Sequence, residues 1–320
     1  MIFVVTGAAG FIGSQVSEAL LEQGHEVRGI DCFTDYYARS LKEKNLAPSK
    51  ARGGFSFVEQ DIMAADLRGL LKGSQAVIHL AAQAGVRRSW GANFQIYTHN
   101  NLLTTQALLE TIKELGGGCR MVYASSSSVY GDSRDLPSRE TSACWPVSPY
   151  GVTKLAAEHM CTLYHRNFGL DTVSLRYFTV YGPRQRPDMA FHRFIRAMIE
   201  DTEIRLYGDG GQSRDFTFVS DVVQATLAAA MVPAAKGRIF NVGGGARVSV
   251  NQVLAMLEDI LGAKARVNRL EVAKGDVRDT HADTAGARSV LDYDPKFDLA
   301  KGLAAEAGWV REMLPLLKEA

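Results

Sequence analysis

Tyr150 and Lys154 stand four positions apart in Tyr150-Gly-Val-Thr-Lys154, shortly after the run Ser125-Ser-Ser-Ser128 and Val129-Tyr130-Gly131. On a helix, residues at i and i+4 project from one face. A phenol gives up its proton only near pH ~10, which makes it a poor base in water. An ammonium group beside it favours the phenolate and lowers that pKa. Tyr-x-x-x-Lys is therefore a way to build a base able to deprotonate an alcohol, with Lys154 tuning Tyr150. The five-residue pattern is common by itself, and its weight comes from the elements around it.

The chain opens on an apolar, strand-like run at residues 2–5, and Thr6-Gly-Ala-Ala-Gly-Phe-Ile-Gly13 follows at once. An amphipathic helical stretch continues to Gln23, with Gly24 as its C-cap, and a second strand at residues 27–30 ends in Asp31. This is a βαβ unit of the length that binds a dinucleotide. Gly7 allows the tight turn, Gly10 lets the backbone approach a pyrophosphate, and Gly13 lets helix pack on strand. The N–H groups around Gly10, Phe11, Ile12 and Gly13 then face the phosphates at the positive end of the helix. The spacing is G-x-x-G-x-x-G, where the general fingerprint is G-x-G-x-x-G. Asp31 stands where a carboxylate accepts hydrogen bonds from an adenosine ribose and repels a 2′-phosphate, which selects NAD over NADP.

Residues 55–58 read as the next strand, with Asp61 and Ile62 after it at a usual place for an adenine contact. A buried strand at 76–80 ends in His79-Leu-Ala-Ala82, where Leu80, Ala81 and Ala82 let a cofactor lie against the backbone. His79 reads as a satisfied core histidine. A helix over 92–115 carries Asn100 and Asn101, a strand at 120–124 delivers the serine run, and another strand covers 172–178. Strands alternating with helices predict an α/β fold with a Rossmann-like, doubly wound parallel sheet. Ligands of such sheets bind beyond the carboxyl ends of the strands, where the serines lie.

After this half the texture becomes irregular, through the Pro- and Arg-rich loop Tyr181-Gly-Pro-Arg-Gln-Arg-Pro187 and the turn Tyr207-Gly-Asp-Gly-Gly211. The expected division is a dinucleotide-binding domain at 1–180, receiving a strand and helix from later segments, and a smaller substrate-binding lobe at 181–320. The net charge of +1, with no Lys/Arg run, gives no electrostatic reason for a nucleic-acid or membrane partner. Cys32, Cys119, Cys144 and Cys161 are far apart with no ligand spacing, so free thiols are expected and a metal site is not. No targeting or membrane-spanning segment is evident, and the cytoplasm is the expected compartment.

Taken together, Thr6-Gly-x-x-Gly-x-x-Gly13, His79-Leu-Ala-Ala82, Ser126 before Val129-Tyr130-Gly131, Tyr150-x-x-x-Lys154, Arg176-Tyr-Phe178 and Arg214-Asp-Phe resemble the extended short-chain dehydrogenase/reductase family. Within it the chain is most similar to the nucleotide-sugar epimerases and dehydratases. The resemblance implies tightly held NAD, a UDP- or TDP-sugar substrate, and a homodimer joined through helices near 93–115 and 149–168. It implies that Ser126 shares the proton of the sugar 4-OH and that Tyr150 is the base. Lys154 would bind the nicotinamide ribose, with Asn101, Tyr177 and Phe178 also on the cofactor. Arg214 would hold the diphosphate, and Asp276 would lie near the nucleoside.

Sugar dehydratases that this chain resembles carry Asp-Glu just after the position of Ser126, and UDP-glucuronate decarboxylases carry a Glu at the second of those places. Ser127-Ser128 cannot act as a carboxylic acid, so elimination is disfavoured. UDP-galactose 4-epimerases have Asn at the place of Thr179 and lack the arginine-rich loop, which here is similar to that of UDP-glucuronate 4-epimerases. A glucuronate carboxylate needs charge-assisted hydrogen bonds, which Arg186 supplies together with Ser127, Ser128 and Thr179. The expected activity is conversion of UDP-glucuronate to UDP-galacturonate through a transient 4-keto sugar, without decarboxylation. The alternatives are a UDP-glucose or UDP-N-acetylglucosamine 4-epimerase, then a UDP-glucuronate decarboxylase or a non-catalytic NAD-binding sensor. Arg278 and His281 depart from the pattern at the nucleotide end, and Thr104 stands where many relatives have Gly.

Overall fold

The computed structural model of the chain describes residues 1–318. Strands β1 (Ile2–Thr6), β2 (Glu26–Asp31), β3 (Phe55–Glu59), β4 (Ala76–His79), β5 (Arg120–Ser126) and β6 (Thr172–Tyr177) are followed by β7 (Thr179–Tyr181), β8 (Ile204–Tyr207) and β9 (Ser213–Phe218). Next come β10 (Ile239–Val242), β11 (Arg247–Ser249) and β12 (Val267–Leu270). The main sheet has the order β10-β6-β5-β4-β1-β2-β3 and every pairing in it is parallel. Two small sheets, β11-β9-β7 and β12-β8, lie outside it.

The β1 sequence Ile-Phe-Val-Val-Thr is buried almost throughout, as a central parallel strand covered on both faces must be. Phe3 and Val5 join the core on one face, and Val4 joins the other with Ile30, Val77 and Met121. The helices are α1 (Phe11–Glu22), α2 (Arg39–Lys50), α3 (Leu67–Leu71), α4 (Phe94–Tyr97), α5 (Thr104–Glu114), α6 (Pro149–Phe168), α7 (Ala190–Ile199), α8 (Val219–Met231), α9 (Val250–Leu261), α10 (Ala285–Leu291) and α11 (Leu299–Lys318). α1 and α8 cover the first face, and α5 and α6 cover the second. Both α8 and β10 come from beyond residue 180, so the main sheet is completed by the second half of the chain.

The chain steps outward from β1 to β3, then crosses back to β4 on the other side of β1. Strand order reverses there, and a crevice opens at the carboxyl ends of β1 and β4. The register fixes what meets in it. Thr6 lies opposite both Ile30 and His79, so Gly7, Asp31 and Leu80 emerge at one level. Ser126 lies opposite Tyr177 on the same edge.

The helix expected over 92–115 is interrupted. A 3₁₀ turn at Gly91–Asn93 leads into α4, a π turn spans Thr98–Leu103, and α5 follows. The extra residue in the π turn buries Asn101, whose amide bonds to Gln83 N and O and to Thr153 Oγ1.

His79 is buried, with Nδ1 at 2.7 Å from Thr6 Oγ1 and Nε2 at 3.1 Å from Thr105 Oγ1. Burial, aided by the Lys154 charge, pushes its pKa down to about 3. Between that value and the unfolded ~6.5, only the unfolded chain takes up the proton. Stability should therefore fall as pH drops from about 6.5 toward about 3, with this group contributing no more than ~5 kcal/mol. Urea unfolding of wild type and His79→Asn at pH 7 and pH 4.5 checks this. Equal pH slopes for the two proteins would exclude it.

Candidate active site

The crevice is a cleft of about 430 Å³, and it gathers most of the residues expected from the sequence. Gly7, Gly10, Phe11, Ile12 and Gly13 line one end with Asp31, Asp61, Ile62, Leu80, Ala81 and Ala82. Ser126, Ser127, Ser128, Tyr150, Lys154, Tyr177, Phe178, Thr179 and Arg186 line the other.

Local sequence explains the first end. Gly10 is the N-cap of α1 and offers no side-chain cap, so the first-turn amides stay free for an anion. A Cβ on Gly13 would lie 2.1 Å from Gly7 O, which is why the helix can start so close to the turn. Asp31 accepts from Ala9 N at 3.2 Å and Phe33 N at 2.9 Å, which holds its carboxylate at the strand end.

At the other end, Ser148 caps α6 by accepting from Gly151 N at 3.1 Å, and Pro149 occupies the first turn. A Cβ on Gly151 would lie 2.6 Å from Ser128 O. Only glycine lets the helix carrying Tyr150 and Lys154 sit this tightly on the serine run. Ser126 Oγ accepts from Ser128 N at 3.1 Å, which shapes the 3₁₀ turn Ser127–Val129. Beneath it Ser125 donates to Glu158 Oε2 at 2.6 Å, and Arg176 grips Glu158 at 2.6 Å and 3.0 Å. Arg176 also donates to Tyr130 OH at 2.8 Å, which donates to Asn241 Oδ1 at 2.6 Å. This buried network fixes the end of β5 from behind.

Tyr150 packs edge-on against Tyr97, ring centroids 6.2 Å apart. Burial raises the Tyr150 pKa, and the Ser126 hydroxyl and the Arg186 charge pull it back down. The Lys154 ammonium lies 4.8 Å from the Tyr123 ring centroid, and burial pushes its pKa down to about 7. The Arg186 charge adds a cation remote in sequence to the effect expected of Lys154 on the phenol.

Arg186 donates to Asp188 at 2.9 Å and 3.1 Å, and Tyr36 OH donates to the same carboxylate at 3.2 Å. That fork uses Nε and Nη2 and leaves Nη1 without a partner among the described residues. Arg184, two residues earlier, turns the other way and pairs with Glu18 at 2.6 Å.

Three expected site residues do not line this cleft. Asn101 does not reach the cleft wall; it braces Gln83 against α6, while Asn100 and Thr104 line the cleft. Thr104, which stands where many relatives have Gly, is therefore a wall residue. Arg214 and Asp276 lie apart from the cleft wall. Arg214 donates to the carbonyls of Ser213, Val277 and Arg278 at 2.7–3.0 Å. Asp276 pairs with Arg87 at 2.7 Å, and Arg87 stacks 4.0 Å over the Tyr207 ring. Arg278, a departure in the sequence, pairs with Asp209 at 2.8 Å on the surface.

Sequence reasoning missed Tyr36, Tyr37, Gln83, Val86 and Met189 on the cleft wall. The aromatic pair Tyr36-Tyr37 in a polar loop just after β2 was an available signal.

Residues 3–243 match the NAD dependent epimerase/dehydratase family. The chain belongs to that family. A Bacillus subtilis relative, described as an uncharacterized UDP-glucose epimerase YtcB, is 44% identical over 314 residues, covering 98% of this chain and 99% of the relative. The UDP-glucuronate 4-epimerase of Thermodesulfobacterium geofontis is 39% identical over 320 residues, covering 99% and 98%. The crystal structure of UDP-glucuronic acid 4-epimerase from Bacillus cereus, in complex with UDP-glucuronic acid and NAD, is 43% identical. It superposes with a TM-score of 0.95 over 98% of this chain and all (100%) of that one. The cofactor of this epimerase/dehydratase family member is NAD, and the uncapped α1 amides and the Asp31 carboxylate fit its diphosphate and adenosine ribose.

Proposed function

We propose that the protein is an NAD-dependent UDP-glucuronate 4-epimerase that forms UDP-galacturonate. The observation that carries this reading is one wall of the cleft. There Arg186, Ser127, Ser128 and Thr179 offer donors for a carboxylate beside Ser126 and Tyr150, and neither position after Ser126 is an acid. The Bacillus cereus neighbour, which binds UDP-glucuronic acid and NAD, supports it.

Bound NAD supplies the acceptor for the hydride leaving C4 and later its donor. Tyr150 Oη takes the 4-OH proton through or beside Ser126 Oγ, and gives it back when the sugar has turned over in the cleft. Lys154 stands one turn along α6, placed to hold the nicotinamide ribose. The 4-keto glucuronate formed between the two transfers is a β-keto acid. It loses CO₂ when the bond to its carboxylate stands perpendicular to the ketone. Arg186 and the hydroxyls of Ser127, Ser128 and Thr179 hold the carboxylate away from that alignment and stabilise its charge. Arg214, Asp276 and Arg87 support a nucleotide end beyond the cleft.

The test is substrate preference. UDP-glucuronate should exceed UDP-glucose in kcat/KM by at least ~10-fold, the worth of one charge-assisted hydrogen bond. A faster reaction with UDP-glucose would favour the neutral-sugar epimerase instead.

The same reading includes a homodimer. Phe94, Ile96 and Leu103 on the α4–α5 run, and Val152, Leu163 and Phe168 on the adjacent α6, are large apolar residues left exposed. Such a surface is characteristic of an interface. Light scattering should give twice the chain mass of 34.9 kDa, and a monomer at micromolar concentration would rule the dimer out. No helix among the described residues is long and apolar enough to cross a membrane, and the four free cysteines fit a cytoplasmic setting, which cell fractionation checks.

A further inference from the structure

The loop bearing Arg186 is tied to the flank of α1, the helix whose first turn forms the dinucleotide end of the cleft. Gln15 Nε2 donates to Pro183 O at 3.1 Å and to Phe11 O at 3.2 Å. Arg184 Nη1 donates to Ser14 Oγ at 3.1 Å and to Glu18 Oε1 at 2.6 Å, and its Nη2 reaches Glu18 Oε2 at 3.3 Å. Both side chains of the ion pair are largely withdrawn from solvent, 18% and 19% exposed.

Arg184 has φ +71°, a left-handed backbone that a residue with a side chain adopts only when its surroundings hold it there. That turn sends Arg184 toward α1 and lets Arg186, two positions on, face the cleft. Arg186, Asp188 and Tyr36 then form one braced unit that moves with the loop.

We infer that Glu18 and Arg184 are positioning residues for the sugar carboxylate, setting the place of Arg186 relative to the cofactor helix. The inference rests on the carboxylate reading proposed above. Neither residue lines the cleft, so they act through the loop alone. Breaking the pair frees Pro183 and Arg184 to shift, and Arg186 drifts from the position at which it restrains the carboxylate. Displacements near 1 Å are enough to change outcomes by ~10²-fold at a reacting centre.

Two variants test it. Glu18→Gln removes the charge from the α1 side. Arg184→Gly removes the guanidinium while accepting φ +71° without strain, so it remains informative if the first variant folds poorly. Each variant is incubated with UDP-glucuronate, and the ratio of UDP-pentose to UDP-galacturonate is read by proton NMR, with bound NAD measured separately. The expected result is unchanged NAD content, a KM raised more than kcat is lowered, and UDP-pentose appearing at about a tenth or more of the UDP-galacturonate where the wild type forms none. The double variant should be no worse than either single one, and Arg184→Lys should restore part of the effect. If both single variants keep the wild-type ratio and KM while Arg186→Gln leaks pentose, the pair does not position the clamp. If Arg186→Gln leaks nothing either, the carboxylate reading fails and this inference fails with it.

Discussion

Tyr150→Phe should lower kcat for C4 inversion by roughly 10²–10⁴-fold while leaving the fold and NAD binding intact. The substitution deletes one oxygen. The ring keeps its edge-on contact with Tyr97, centroids 6.2 Å apart, and the helix keeps its Ser148 cap. What disappears is the oxygen proposed to accept the 4-OH proton with Ser126 beside it. The pH profile carries a second signature. The proposed mechanism needs the phenolate, so kcat/KM of the wild type should rise with pH until the phenol has ionised. Burial pushes that ionisation up, and Ser126 and Arg186 draw it down. Steady-state kinetics from pH 6 to pH 10 check both points, and near-wild-type turnover in Tyr150→Phe would refute the assignment.

Arg186→Gln combines two losses. On the proposed reading the carboxylate loses a charge-assisted partner worth ~1.5–3 kcal/mol, so KM for UDP-glucuronate should rise by roughly 10- to 100-fold. The 4-keto acid then rotates more freely, and UDP-pentose should appear alongside, or in place of, UDP-galacturonate. Because Arg186 also pulls the Tyr150 pKa down, its removal should shift the rising limb of the pH profile to higher pH. Asp188, left without its partner, is exposed enough for water to solvate it, so stability should change little. Measuring products by NMR and KM by initial rates separates the effects. A variant with unchanged KM and no pentose would remove Arg186 from the site.

The parts of this architecture written in strong periodicity were readable from sequence. The first βαβ unit was legible because its glycines, its apolar strands and Asp31 all agree. α6 was legible because Ser148, Pro149 and Gly169 punctuate it at both ends. By contrast α2 was missed, since Arg-Ser-Leu-Lys-Glu-Lys-Asn-Leu-Ala-Pro-Ser-Lys has little apolar periodicity and contains Pro48. Its Arg39–Glu43 pair, at 2.7 Å, and the burial of Leu41 and Leu46 hold it in the folded protein. The π turn at Asn101 has no local signature, because the periodic pattern continues through it while the side-chain directions shift. That shift exchanges Asn101 for Asn100 on the cleft wall.

Electrostatic roles were harder to read than positions. Tyr150 and Lys154 share a helix face as their spacing requires, and the Arg186 charge, remote in sequence, also draws the phenol pKa down. Which of two arginines in an aperiodic loop faces the cleft depends on one left-handed residue, φ +71° at Arg184. Arg214 was expected on the diphosphate and Asp276 near the nucleoside, and no sequence signal shows that the first is occupied by backbone carbonyls and the second by Arg87.

Proton NMR of UDP-glucuronate incubated with the protein and NAD decides between the readings in one spectrum. C4 inversion with carboxylate restraint predicts the anomeric signal of UDP-galacturonate growing to equilibrium with no pentose. An unchanged spectrum, or a pentose as the main product of the wild-type protein, would contradict it.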